Sequence, residues 1–285
     1  MFSPFFRISK ILSRLALVGL VLLVSACGNS LTKKTDETAN WSAEQLFHAA
    51  EVQMKQKNYS DAVGFLEKLE GRFPYGRYVQ QAQLDIAYAY FRDGQNDLAL
   101  AAIERFIHLH PAHPSVDYAY YLKGLISFNI KRGTLDFLLP QRDYGDRNPE
   151  AMKKAYNAFR DLVDRFPDSR YAVDARKRMV YLHNLLAKHE IYVAQHYFVR
   201  GAYVAAVNRA KYVIENYQRT PAVEDALGIQ VNAYAKLGMP RLAKDAERVL
   251  RLNFPKSDYL KNLPKELATD ETPASESGQV GSREG

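Results

Sequence analysis

The chain has 285 residues, 39 Lys and Arg against 32 Asp and Glu, and a net charge of +7, with 47% hydrophobic and 25% charged residues. That balance excludes a wholly disordered, collagen-like or multi-span membrane protein, and the length allows one large domain or two smaller ones. A single cysteine, Cys27, excludes a disulfide framework and any cysteine-based zinc cluster.

The chain opens as an export signal. Arg7, Lys10 and Arg14 form a positive start, residues 15–24 are uninterruptedly apolar or glycine, and Ser25-Ala26 are small. Ten helical residues rise about 15 Å, half of a ~30 Å hydrocarbon core, which is too short for a good transmembrane span. An ordinary signal peptide beside a chance cysteine is one reading. The other is a lipobox, because Val24-Ser25-Ala26-Cys27 resembles the bacterial lipoprotein signal. That resemblance implies cleavage before Cys27, a diacylglycerol on its sulfur and an acylated amine, with chains enough for firm anchoring. Gly28, where an aspartate would resemble an inner-membrane retention signal, points to the outer membrane. Loss of residues 1–26 removes three positive charges and leaves the body near +4, a weak case for nucleic acid. Residues 27–40 follow as the lipidated start and a polar tether.

The body, 41–263, is internally repetitive. Ala50 and Ala62, Ala87 and Ala99, Ala194 and Ala206, and Val231 and Ala243 each stand twelve apart. Tyr90, Tyr197 and Tyr234 follow the first member by three, and Gly94, Gly201 and Gly238 follow it by seven. Twelve beyond the second member stand Pro74, Pro111, Gln218 and Pro255. Each unit therefore reads as helix, glycine turn, helix, proline stop. The pattern resembles the tetratricopeptide repeat, with units near 43–76, 80–113, 187–220 and 224–257 and a third unit, 117–167, split by an insertion over 132–150. An additional helix over 173–187 joins units three and four. The expected fold is all-α, a superhelix of about five repeats. Residues 264–285 are a polar tail without aromatics, expected to be disordered.

In that repeat family the first helix of each unit faces the groove. Carried over, its groove positions are Phe47, Met54 and Lys55; Leu84, Tyr88, Phe91 and Arg92; Tyr118, Tyr121, Leu125 and Phe128; then Ile191, Gln195 and Phe198. Any one aromatic could equally fill the core. A groove of this kind suits an extended peptide with alternating aromatic residues, and arginine suits a free carboxylate. Catalytic motifs are missing: no Gly-x-Ser-x-Gly, phosphate loop or His-Glu-x-x-His is present. His108, His110 and His113 form a cluster that reads as a metal site or, more simply, as a repeat-end turn around Pro111 and Pro114.

Longer strings are more specific. Arg72-Phe73-Pro74-Tyr75-Gly76-Arg77-Tyr78, residues 103–111, residues 116–125 and residues 200–209 resemble the BamD (ComL) lipoprotein family of the outer-membrane β-barrel assembly machinery. The resemblance runs from the signal to about Tyr259. It implies no catalytic activity, no cofactor beyond the lipid on Cys27, and a position on the periplasmic face of the outer membrane. It implies docking on a BamA-like barrel core subunit through the C-terminal half, with Arg200 and Tyr203 on that surface, and contacts with BamC- and BamE-like lipoproteins. It also implies capture of the C-terminal signal of unfolded outer-membrane proteins by the N-terminal repeats. Two rival readings stand beside it: a lipoprotein scaffold for peptidoglycan synthesis or remodelling, and a helical-array transglycosylase, which needs a catalytic glutamate in a separate compact domain that the repeats leave no room for.

Overall fold

The structure is a computed structural model and describes residues 36–128 and 149–265. The signal, Cys27, residues 132–148 of the insertion and the tail beyond 265 lie outside the described residues. Met1–Ser42 and Ala43–Gly285 are separate compact units. Of the first, 36–42 are described as a short turn, in which Asp36 accepts hydrogen bonds from the Thr38 amide and hydroxyl.

The second unit is all-α. Among the described residues it holds ten α-helices and no strand: α1 (Ala43–Lys55), α2 (Tyr59–Arg72), α3 (Val79–Arg92), α4 (Asn96–Leu109), α5 (Val116–Phe128), α6 (Pro149–Arg165), α7 (Ala172–Val199), α8 (Tyr203–Asn216), α9 (Ala222–Lys236) and α10 (Pro240–Asn253). A 3-10 turn, Asp258–Leu260, follows. Each helix packs on the next in the chain, and α3 touches α5 and α7 touches α9, so neighbouring repeats stack.

Two turn types alternate. After α1, α3, α7 and α9 the chain enters the left-handed region at Lys57 (φ 66°), Gly94 (77°), Gly201 (77°) and Gly238 (68°). In each, paired backbone bonds close the helix end; at the second, Gly94 N–H donates to Phe91 O at 3.2 Å and Gln95 N–H to Tyr90 O at 2.9 Å. That is the Schellman arrangement, and it explains the glycines. The following helices start without side-chain caps at Asn58, Gln95, Ala202 and Met239, so the glycine turn and packing set their boundaries. The second turn type ends α2, α4, α6, α8 and α10 at Phe73, His110, Phe166, Tyr217 and Phe254, whose amides each donate four residues back. Proline follows four of these five rings, where its missing N–H is harmless.

The small residues at the twelve-residue spacing are all at or below 1% exposure, which brings paired helices into close contact. In the third repeat their counterparts are Gly124 and Ala155, 31 apart instead of 12. An alanine methyl at 124 would lie 2.4 Å from the ring of Phe159, itself fully buried, so only glycine fits. Two features differ from the sequence reading. Pro149 and Glu150 belong to α6 rather than to the insertion, because proline is well suited to a first helical turn. The joining helix and the first helix of repeat four are one 28-residue helix, α7, because residues 172–199 contain no glycine or proline to break it.

Candidate functional site

The first helices of repeats one to three, together with the first half of α7, carry side chains in stripes at three- and four-residue steps. Phe47, Glu51 and Met54 lie on α1; Tyr78, just before α3, leads into Gln81, Asp85, Tyr88 and Arg92 along it; Tyr118, Tyr121, Leu125 and Phe128 run along α5; Tyr171, just before α7, leads into Asp174, Arg178 and Tyr181. Steps of three and four keep residues on one helix face.

Phe47 stacks on Tyr78 with centroids 4.9 Å apart. Next to it, between α1 and α3, is a cleft of about 460 Å³ lined by Phe47, Glu51, Met54, Lys55, Gln81 and Asp85 over Ala50 and Leu66. Gln81 Nε2 donates to Asp85 Oδ1 at 2.8 Å. Burial, with the Glu51 charge adding to it, raises the Asp85 carboxyl from 3.8 to about 6. Two turns on, Arg92 donates to the Tyr88 hydroxyl at 2.6 Å and lies 5.3 Å from the Tyr59 ring centroid. Its guanidinium is exposed and oriented by two aromatic rings.

The stripe continues through a tyrosine cluster. The Tyr121 and Tyr171 rings stack at 4.9 Å, and Tyr118 lies 5.4 Å from Tyr171. The Tyr121 hydroxyl donates to Asp174 Oδ2 at 2.7 Å, and this bond, with a second from Arg178, holds Asp174 below the usual carboxylate range. Burial pushes the Tyr118 hydroxyl well above the usual phenol value, with Tyr88, Tyr171, Asp85 and Tyr121 adding to it. Phe128 ends the row against Tyr181 at 6.0 Å.

The predicted groove residues thus separate. Phe47, Lys55, Tyr88, Arg92, Tyr118, Tyr121 and Phe128 fall along the stripe, with Phe91 half-buried behind it against the repeat-two core. Leu84 is corrected: at 2% exposure it packs among Ala87, Ile103 and Leu122, because one step along α3 turns it inward. Ile191 is likewise core, at 4%. The sequence reading passed over Tyr78, Asp85, Tyr171, Asp174, Arg178 and Tyr181, although their three- and four-residue spacing marks the face. Arg200 and Tyr203 lie apart, at the turn from α7 to α8. Arg200 is exposed beside Val199 at 85% and near Val204 at 59%, and the Tyr203 ring meets Phe198 at 5.3 Å. Cys27 lies outside the described residues.

The histidine cluster is a turn. His110 occupies the ring position that phenylalanine or tyrosine holds elsewhere, 5.3 Å from Phe106, and its Nε2 pairs with Gln83 Oε1 at 2.7 Å. His113 Nδ1 accepts the Ser115 amide at 3.1 Å, and burial lowers the His113 pKa. Among the described residues no group of three or more His, Cys, Asp or Glu could hold a metal ion, and no helix is long and apolar enough to cross a membrane.

Residues 39–250 match the family model YfiO, described as outer membrane lipoprotein. The chain belongs to the YfiO family. Within it, the chain is 50% identical over 246 residues to outer membrane protein assembly factor BamD of Neisseria meningitidis serogroup B, covering 86% of this chain and 92% of that one. It is 37% identical over 247 residues to the BamD of Xylella fastidiosa strain Temecula1, covering 86% and 83%. Among solved structures, a thermophilic TPR protein of Thermus thermophilus aligns with a TM-score of 0.34 and 13% identity, covering 80% of this chain and all of that one. The matched span of the YfiO model takes in every helix of the stripe and the Arg200 turn.

Proposed function

We propose that this chain is an outer-membrane protein assembly factor, a lipid-anchored docking scaffold that brings unfolded barrel proteins to the machinery that inserts them. The observation that carries the reading is the 50% identity, over 86% of the chain, to a protein named as such a factor. Geometry supports a division of labour. The stripe from Phe47 to Tyr181 offers aromatic side chains and the oriented Arg92 guanidinium to an extended, aromatic-rich segment ending in a carboxylate. The exposed Val199, Arg200 and Val204 at the α7–α8 turn form, with Tyr203, the surface for a BamA-like core subunit, and BamC- and BamE-like lipoproteins complete the assembly. Acylated Cys27 holds the chain on the periplasmic face. The scaffold works by docking, without catalysis or a cofactor: the perturbed acids Asp85, Asp174 and Asp225 each accept a hydrogen bond from a neighbouring side chain, Gln81, Tyr121 and Tyr259.

The test is a mild-detergent pulldown of the tagged full-length protein, with Arg200→Leu in parallel and mass spectrometry as readout. A large barrel protein with periplasmic domains is recovered, and the substitution depletes it several-fold. Recovery of peptidoglycan enzymes without that barrel would replace the reading with the cell-wall scaffold.

A further inference from the structure

We propose that the cleft between α1 and α3 is a subsite for a lysine or arginine of the bound segment, held by Asp85 with Glu51 beside it, about three residues before the segment's terminal carboxylate. The inference rests on the groove reading and adds a chemical specificity to it.

The cleft is built for a long side chain with a positive tip. Phe47 and Met54 supply apolar walls over Ala50 and Leu66, and the polar groups lining it are the half-buried Gln81 and Asp85 and the exposed Glu51. Lysine and arginine bury their stems on such walls and keep the charged head among polar partners. The two carboxylates come from different helices and repel each other. Asp85 receives one hydrogen bond, from the neutral amide of Gln81. The other charged or titratable groups facing this region are Lys55 on α1, Tyr88 and Arg92 on α3, and Tyr118 on α5. None supplies the missing cation. Lys55 lines the cleft but forms no ion pair with either carboxylate among the described residues. Arg92 is engaged with Tyr88 and Tyr59. A largely desolvated carboxylate next to a like charge is therefore left uncompensated, and its titration near pH 6 reflects this. An incoming ammonium or guanidinium relieves both the burial and the repulsion, whereas an acidic side chain adds a third negative charge.

The helix sets the register. Asp85 and Arg92 are seven residues apart, two turns of α3, or about 10.5 Å. An extended peptide covers that in about three residues at ~3.3 Å each. With the terminal carboxylate on Arg92, the third residue before it reaches the cleft.

The experiment measures fluorescence anisotropy of labelled peptides with the full-length protein in mild detergent. The peptides end in an aromatic residue with a free carboxylate and differ only in carrying Lys, Gln or Glu three residues earlier. At pH 7.5 the Lys peptide should bind about tenfold more tightly than the Gln peptide, the size of one charge-assisted hydrogen bond. The Glu peptide should bind most weakly. The Lys advantage should shrink at pH 5, where Asp85 is protonated, and disappear in Asp85→Asn and Glu51→Gln, both checked for folding by circular dichroism. Equal binding of Lys and Gln peptides to the parent protein overturns the proposal while leaving the groove reading intact, and needs no variant to fold. Persistence of the Lys preference in both variants also overturns it. If no peptide binds, the groove reading fails and the subsite fails with it.

Discussion

A carboxylate that folding places beside another carboxylate weakens the native state when it ionises. Asp85 is raised from 3.8 to about 6, chiefly by burial. Its penalty is absent below pH 4, grows between 4 and 6 and is complete above 6, because the folded state holds the proton more tightly than the unfolded chain. Asp85→Asn should therefore raise the melting temperature at pH 7.5 and leave it nearly unchanged at pH 4. The stabilisation should be on the order of 3 kcal/mol, from a shift of about two pH units. Circular dichroism melts at the two pH values decide it, and an equal gain at both would show that the charge is not the cause. Asp174 has the opposite sign. Hydrogen bonds from Tyr121 and then Arg178 lower its pKa, so its contribution is present at neutral pH and lost on acidification. Residue identity alone does not distinguish these two aspartates, since each lies on an amphipathic helix near tyrosines. What separates them is burial at Asp85 against the hydrogen bonds that Tyr121, from the neighbouring helix, and Arg178 bring to Asp174.

At the scale of the element, the turns and close approaches explain why glycine recurs. Three of the four left-handed turns carry glycine, and the first carries Lys57 at φ 66°. Left-handed backbone costs a side chain roughly 1–2 kcal/mol, partly offset by the unfolded-state freedom of glycine. Lys57→Gly should thus stabilise by about 0.5–1 kcal/mol, and Gly94→Ala should destabilise by about 1 kcal/mol, read from denaturant midpoints. Helical glycines act through space instead. An alanine at 124 meets Phe159 at 2.4 Å inside the core, and one at 228 meets the Tyr259 ring at 2.3 Å. Gly124→Ala should cost about 1–3 kcal/mol as overpacking of a site that cannot yield. Gly228→Ala should be milder, because Tyr259 lies in the terminal turn and can swing away by giving up its 3.0 Å bond to Asp225. Faster hydrogen exchange confined to residues 254–263 would identify that local release. Global loss of stability in Gly228→Ala would contradict it.

Across the whole repeat array, stacked units contact only their neighbours, so distant surfaces can be changed separately. Tyr88→Ala with Arg92→Glu should abolish capture of aromatic-ended peptides and retain the large barrel partner in pulldowns. Arg200→Leu should do the reverse. Loss of both activities from either change would mean that the two surfaces are coupled. The fold was legible in the sequence because its determinants are local: positive φ at Gly94, Gly201 and Gly238, and proline after the second helix. The candidate site was only partly legible. Repeat register puts Phe47, Tyr88 and Tyr121 on the helix face that carries the stripe, but the same register offers Leu84, which the structure buries at 2%. Asp85 and Asp174 are not legible in the repeat register, because an acid on an amphipathic helix reads as an ordinary solvated residue until a neighbouring helix is packed on it. His110 drew notice as a metal ligand because its part as an aromatic plug is visible only beside Phe106 and Gln83.

The sequence by itself determined the repeat period, the helix–turn–helix grammar and the all-α class, since each depends on backbone preferences within a dozen residues. Its longer strings also marked the lipoprotein family. Tertiary structure alone decided which side of each helix faces a neighbour, that α7 runs unbroken through residues 172–199, and that Glu51 meets Asp85 across a cleft. Those outcomes depend on side chains from separate helices sharing desolvated space, and no one-dimensional spacing encodes that proximity.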